Sequence, residues 1–190
     1  PCRWQLSVNL SGAQLADPML VVQVQDVLQR TRLPARQLEL ELTESHLMDN
    51  PAFAQEQVAA LKQLGVQVAI DDFGTGYSSL AYLKRFEIDK LKVDQSFVRG
   101  MLDDTADAAI VQAVIALGHT LNLTVVAEGV EDAPTAQTLT ALGCDELQGY
   151  CFSRPVPWPE FLAWSQRQAL GPEPSGMRRQ DRRAGRTGPV

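Results

Sequence analysis

The chain has 190 residues, of which 45% are hydrophobic and 21% charged, and its formal net charge is −6. This size and balance predict a soluble globular domain with a sizeable core. After Gly171, five arginines and two acids carry +3, so the preceding residues carry −9. An acidic body argues against DNA as a partner, because nucleic-acid binding depends on neutralising phosphates.

Cysteine usage and hydropathy indicate the compartment. The three cysteines, Cys2, Cys144 and Cys151, form no CxxC motif, and their odd number predicts a reducing, cytoplasmic location without a disulfide framework. No apolar run approaches the ~20 residues of a membrane span, so we expect no membrane segment in this chain. The chain begins at Pro1 and enters a strand almost at once, which predicts a fragment of a longer protein that a membrane could tether elsewhere.

Strands and helices alternate along the whole sequence. The pattern predicts, in chain order, a strand over 6–10, a helix opened by Asp17-Pro18 and ended by Leu33-Pro34, an alternating strand over 38–43, a helix capped by Asn50-Pro51 and ended by Gly65, a strand over 66–70, a short helix over 79–86, a strand over 88–93, a helix over 106–121, a strand over 123–127, a helix between Asp132 and Gly143, a strand over 146–150 and a helix over 158–169. Residues 170–190 are rich in Arg, Pro and Gly and predict a disordered tail.

Six strand–helix units in strict alternation predict an α/β fold with a parallel sheet and helical crossovers. A doubly wound sheet and a (β/α)8 barrel both satisfy this pattern. A barrel needs eight strands and ~250 residues, so for a barrel this chain lacks about two of the eight units.

Polar side chains stand where each predicted strand ends, which is where parallel α/β folds collect their functional groups. They are Asn9, Glu41, Asp71 with Asp72, Lys92, Glu128 and Gln148. Carboxylate and amide oxygens without His or Cys suit Mg²⁺ or Mn²⁺. Two such ions are a common apparatus for phosphodiester hydrolysis, with Lys92 available to position the attacking water.

Several nearby residues have simpler interpretations. We expect Glu39 to be a solvated charge at the rim and Lys90 to be a surface residue. Gly74 and Gly76 are expected to permit a tight turn. His46 and His119 are expected to be structural or solvated.

The ordered motifs resemble the EAL domain, a family of bacterial phosphodiesterases that linearise cyclic di-GMP to pGpG. The resemblance covers about residues 4–165 and rests on residues 7–11 (SVNLS), 39–45 (ELELTES), 71–80 (DDFGTGYSSL), 91–94 (LKVD), 126–131 (VAEGVE) and 148–150 (QGY). It implies a modified TIM barrel whose first strand runs antiparallel. Residues 1–169 would form this barrel without its first two strands.

The resemblance also implies a role for each matching residue. It makes Asn9, Glu41, Asp71, Asp72 and Glu128 ligands of two Mg²⁺ or Mn²⁺ ions. It gives catalytic roles to Lys92, Glu128, Glu44 and Gln148, with Glu44 as the anchor of the glycine loop that follows Asp72. It implies substrate contacts from Asp72, Phe73, Gly74, Lys92, Gly129, Gln148 and Pro155, the last beside a guanine. It also implies homodimerisation through the loop after Asp72, and an upstream sensory or GGDEF-type domain.

One departure leaves the function open. The Glu-Ala-Leu signature that names the family is absent, and it belongs on a strand upstream of Pro1. We favour a fragment of an active cyclic di-GMP phosphodiesterase over a truncated remnant, because every position that can be compared carries the matching residue, whereas a decaying domain is expected to have lost some. The alternatives are a cyclic di-GMP receptor without catalysis and a different metal-dependent barrel enzyme in which Lys92 abstracts a proton.

Overall fold

The computed structural model describes residues 4–76 and 83–169. All six predicted strands are present, and they form one sheet. The strands are β1 (Leu6–Asn9), β2 (Leu38–Thr43), β3 (Gln67–Phe73), β4 (Lys90–Val93), β5 (Thr124–Ala127) and β6 (Glu146–Leu147).

The order of the strands decides between the two candidate folds. Every neighbouring pair is parallel, and the spatial order is the chain order from β1 to β6. A doubly wound sheet would reverse its order at a switch point, whereas a barrel places each strand beside the previous one. The six strands therefore form a curled part of a TIM-type barrel, as the resemblance implied.

Helices connect the strands. They are α1 (Gly12–Leu15), α2 (Leu20–Thr31), α3 (Glu44–Asp49), α4 (Pro51–Gln63), α5 (Gln95–Gly100), α6 (Thr105–Thr120), α7 (Ala133–Ala141) and α8 (Trp158–Ala169). Local caps fix several starts: the Asn50 side chain accepts from the Phe53 amide, and Asp132 accepts from the Thr135 amide.

The two faces of the sheet differ in chemistry. Alternate residues of the strands, among them Leu40, Val68, Leu91 and Val125, are buried in the hydrophobic core with residues from the helices. The opposite face carries charged side chains. Its buried members are Glu39, Glu41, Lys90 and Lys92. The expectations of a solvated Glu39 and a surface Lys90 were wrong, because both side chains are buried. Each residue lies two positions before a site residue of the same strand, so its side chain points to the same interior face.

Several predicted boundaries also shift. Helix α2 begins at Leu20, because Asp17 and Pro18 form a preceding turn in which Asp17 accepts from the Met19 amide. Strand β3 continues three residues beyond the predicted end at Ile70. Strand β6 is shorter than predicted. The short helices α1, α3 and α5 were missed, because helices of four or six residues are too short to show a period.

The chain divides into two compact units, Arg3–Arg154 and a second one that contains Pro155–Val190. The described part of the second unit is helix α8 with the three residues that precede it. The predicted tail, 170–190, lies outside the described residues, as does the first half of the helix predicted over 79–86.

Within the described residues, the helices are too short or too polar to span a bilayer.

Candidate metal centre

A bulge in β3 brings two consecutive acids to one place. Ile70 pairs with Leu91 and Phe73 pairs with Val93, so Asp71 and Asp72 together stand opposite Lys92 alone. Neighbouring residues of a regular strand point to opposite faces, and a bulge changes this local geometry. Asp72 has a left-handed φ of 53°, and its amide donates to Asp71 Oδ1 at 3.0 Å.

Lys92 stands at the centre of this site. Its Nζ lies 2.7 Å from Glu128 Oε1, 2.9 Å from Glu41 Oε2 and 3.0 Å from Asp71 Oδ1. These partners come from β2, β3 and the end of β5, so one ammonium group links carboxylates across the interior of the sheet. The Lys92 side chain is only 4% exposed, and its three ion pairs are therefore poorly screened by solvent.

Burial and the neighbouring charges shift the pKa values of Glu128, Asp72 and Lys92. Burial, followed by the charges of Asp71 and Glu41, raises the pKa of Glu128 against the opposing effect of Lys92. Burial, the charge of Asp71 and a hydrogen bond with Asp94 raise the pKa of Asp72. Burial of the Lys92 ammonium lowers its pKa, but the bonds with Glu128 and Glu41 outweigh this, and its pKa is raised.

Asp94 lies beside the centre, although the sequence pattern assigns it no role. Asp94 caps helix α5 by accepting from the amide and hydroxyl of Ser96, and it shares a hydrogen bond with Asp72. Burial alone would raise its pKa, but the bonds from Ser96 lower it. The available signal was an acid directly after β4 and two residues before a serine, which is typical of an N-cap.

The donor set fits a divalent cation. Ligand atoms of Asp71, Asp72 and Glu128 lie within 4.8 Å of one another. Hard oxygen donors of this kind suit Mg²⁺ or Mn²⁺. Glu41 lies nearby through its bond to Lys92, and Asn9 pairs in register with Glu41. Bound cations would offset the repulsion among the four carboxylates.

The residues assigned to the loops lie at the same end of the sheet. Gln148 follows β6, and its amide donates to Ala127 O at 2.9 Å, which places it beside the end of β5. Glu128, Gly129 and Gln148 line one cavity of about 180 Å³, whose other wall includes Gln95 and Arg99. Gly129 has a φ of 67°, and a Cβ there would lie 2.5 Å from that of Gln95.

Glu44 is buried at the start of α3. An added Cβ on Gly76 would lie 3.2 Å from its carboxylate, so Gly76 lies directly against this side chain. Within the described part of the chain, Glu44 Oε2 has no hydrogen-bond partner. The anchoring role stays a prediction, because residues 77–82 of the loop lie outside the described residues.

For three other residues with predicted substrate contacts, the structure gives only their local surroundings. The Phe73 ring is buried in the hydrophobic core, where it has a packing role. Gly74 has a φ of 103° and packs against the ring of Phe97. Pro155 belongs to the second unit. Their substrate contacts stay predictions.

The chain is similar in sequence and in fold to known proteins. The family model described as the EAL domain matches residues 3–155. MucR of Pseudomonas aeruginosa, named a bifunctional diguanylate cyclase/cyclic di-GMP phosphodiesterase, is 47% identical over 160 residues, which are 84% of this chain and 23% of MucR. The cyclic di-GMP phosphodiesterase PdeR of Escherichia coli is 42% identical over 163 residues, 86% of this chain and 25% of PdeR.

A solved structure of the MucR phosphodiesterase in complex with c-di-GMP superimposes with a TM-score of 0.81 at 46% identity, over 83% of this chain and 64% of that one. The chain spans about a quarter of the length of the curated relatives it matches.

Proposed function

The chain belongs to the EAL domain family, and from this premise we propose that it is the catalytic part of a metal-dependent phosphodiesterase that hydrolyses cyclic di-GMP to linear pGpG. The observation that carries the proposal is the cluster of Asp71, Asp72 and Glu128 around Lys92. Relatives named as cyclic di-GMP phosphodiesterases, and the c-di-GMP complex of MucR, support the choice of substrate.

We assign the metal to Asn9, Glu41, Asp71, Asp72 and Glu128. Two Mg²⁺ or Mn²⁺ ions bound there would activate water and neutralise charge that develops on the phosphate. Hydrolysis adds a water oxygen to phosphorus, breaks one bond from phosphorus to a ribose oxygen, and transfers a proton to that leaving oxygen.

The protein's own side chains orient the reactants. Glu128 accepts a hydrogen bond from Lys92 and lies beside Asp71 and Asp72, so its carboxylate is placed to help coordinate the metal or to hold the attacking water. The buried Lys92 ammonium is placed to hold that water or a phosphate oxygen. Gln148 and Gly129 border the cavity beside Glu128, where the substrate would lie.

Partners and compartment follow from the same proposal. We propose a cytoplasmic location, where the nucleotide second messenger and reduced cysteines are expected. We also propose homodimerisation through the loop after Asp72, and regulation by an upstream sensory or GGDEF-type domain. MucR, whose name includes a diguanylate cyclase activity, supports the last of these.

The test uses the purified natural protein with cyclic di-GMP and Mn²⁺ or Mg²⁺. We expect pGpG as the product, and we expect Glu128→Gln and Asp71→Asn each to lower kcat by about 10²–10⁴-fold, because each change removes a charge that acts on the reacting groups. Asp26→Asn is the matched control, because it removes a carboxylate charge from an exposed ion pair on α2.

Full activity of Asp71→Asn would overturn the metal assignment. Tight binding of cyclic di-GMP by the wild-type protein without formation of pGpG would instead support the receptor alternative.

A further inference from the structure

A second set of charged and polar side chains lies on the interior face of the sheet, next to the metal centre and toward the amino ends of the strands. We call Gln5, Ser7, Glu39, Lys90 and Glu146 the inner polar layer. Lys90 and Glu39 are its buried members, with relative exposures of 7% and 3%. Nothing in the proposed reaction uses these residues.

The contacts within this layer are complete. Lys90 Nζ lies 2.7 Å from Glu146 Oε2, 3.0 Å from Gln5 Oε1 and 3.2 Å from Glu39 Oε2. Glu39 accepts further bonds from Ser7 Oγ at 2.8 Å and from Gln5 Nε2 at 3.0 Å. The three ammonium hydrogens thus have three acceptors, so the layer does not form a site for an external ligand.

The two buried members of the layer lie on the same strands as residues of the metal centre. Glu39 precedes Glu41 by two residues on β2, and Lys90 precedes Lys92 by two on β4. Residues two apart share one face of a strand and lie about 6.6 Å apart along it. The layer is therefore built on the strands that carry the centre, one step toward their amino ends.

The partners of Lys90 come from strands that are not its neighbours. β4 pairs with β3 and β5, whereas Glu39 lies on β2 and Glu146 on β6. An ion pair that skips a strand joins two points across the concave face, and its length limits how far the sheet can flatten. The distance from Glu41 on β2 to Glu128 after β5 depends on that curvature.

Lys92 makes similar links, but its partners are the carboxylates assigned to the metal. A cation bound at the metal centre would be coordinated by those same carboxylate oxygens. The inner polar layer shares none of them, so its links persist in either state. A buried ion pair is also a weak source of net stability, because desolvation offsets most of the attraction.

We propose that Lys90 is a positioning residue that, through Glu39 and Glu146, fixes the curvature of the sheet and so holds the carboxylates of the metal centre at the spacing a divalent cation requires. This inference rests on the proposed function, because it assumes that the centre binds metal.

The test measures binding of Mn²⁺ alone to the purified natural protein by calorimetry, beside its melting temperature. The double variant Glu39→Gln/Lys90→Met removes both buried charges, so that neither is left alone. We expect it to weaken Mn²⁺ binding by about 10-fold or more, the range known for residues that orient metal ligands. Glu146→Gln is a milder variant at a half-exposed position, and a several-fold loss is expected.

Lys62→Met is the matched control. Lys62 forms an ion pair with Asp89, directly before β4, at 2.6 Å, but it extends from helix α4 and has no contact with the inner polar layer within the described residues. It should leave Mn²⁺ affinity unchanged. Lys90→Arg keeps the charge and should retain most of the affinity.

Mn²⁺ affinities of both Glu146→Gln and the double variant within twofold of the wild type would overturn the positioning role, even if their melting temperatures fell. A wild-type protein that binds no Mn²⁺ would overturn the proposed function itself. If only the double variant fails to fold, Glu146→Gln decides by the same criterion.

Discussion

Lys92 explains how four acids can lie together before any cation binds. Each of its three bonds joins a carboxylate from a different strand, while burial, and after it the charge of neighbouring acids, raises the pKa values of Asp72 and Glu128. Removing this lysine would leave at least three buried or half-buried carboxylates facing one another, which is costly without a cation. At the scale of single residues, the site is therefore an acidic cluster with one internal counter-ion.

Cysteine reactivity gives a prediction at the same scale. Burial raises the pKa of the Cys144 thiol from 9.0 to about 11, and its Sγ contacts the carbonyl oxygens of Val125 and Glu146. At pH 8 a thiol with this pKa is ionised about 100-fold less than one with the value of 9.0, a deficit that its stronger nucleophilicity offsets only in part. Burial also limits access to the sulfur, so we expect Cys144 to be alkylated at least about 10-fold more slowly than the exposed Cys151. The rate at Cys144 should keep rising as the pH approaches 11.

Peptide mapping after timed labelling with iodoacetamide separates the two thiols. Urea-unfolded protein is the control, because both should then react at similar rates. Equal rates in the folded protein would show that Cys144 is not buried as described.

At the scale of elements, close approach between α6 and β5 sets the position of Glu128. A Cβ on Gly118 would lie 2.3 Å from Val125 Cγ2, so only glycine lets the helix lie this close to the strand. Strand β5 ends at Ala127, directly before Glu128. The distance between this helix and this strand therefore affects the position of Glu128.

Gly118→Ala tests that packing. The overlap with Val125 should cost about 1–3 kcal/mol, and the higher helix propensity of alanine returns about 1 kcal/mol, so we expect a net loss of up to about 2 kcal/mol. In Val125→Ala the clashing methyl is absent. Urea unfolding of both single variants and the double variant should give a coupling of about 1 kcal/mol or more, with the double variant more stable than additivity predicts. Strict additivity would contradict the close contact.

The alternation of β2 illustrates what could be predicted from the sequence. Leucines at every second position between Leu38 and Leu42 gave the bounds of the strand correctly, and Glu41 was placed at its end. The same alternation puts Glu39 on the interior face beside Glu41. We nevertheless expected it to be solvated, because its burial depends on partners such as Lys90 that are distant in the sequence.

The bulge at Asp71 and Asp72, in contrast, could not be predicted from the sequence. Two consecutive acids after an apolar run look like the start of a loop, and nothing local indicates that β3 continues to Phe73. The bulge depends on the register with β4, where Lys92 stands alone against both acids. Register is a property of the sheet as a whole, so this detail of the site needed the structure.

At the scale of the whole molecule, charge links the centre to stability. Asp72 and Glu128 have raised pKa values in the folded, metal-free protein. When the pKa of an acid is higher in the folded than in the unfolded protein, ionisation of that acid carries a free-energy penalty for folding. That penalty is full above the folded pKa, decreases as the pH falls below it, and is gone below the unfolded pKa. The metal-free protein should therefore lose part of this penalty on mild acidification.

A bound cation reverses that dependence, because it prefers the ionised carboxylates. At pH 7.5, Mn²⁺ at about 100 times its dissociation constant should stabilise the protein by about 2.7 kcal/mol, which raises the melting temperature by about 5–10 °C. As the pH falls toward the raised pKa values of Asp72 and Glu128, protons compete with Mn²⁺ and the gain should shrink. Melting curves with and without Mn²⁺ at pH 7.5 and pH 5.5 measure both effects, and Asp71→Asn serves as the variant with a damaged centre. A gain in melting temperature that is independent of pH and retained in Asp71→Asn would place the bound Mn²⁺ elsewhere on the protein.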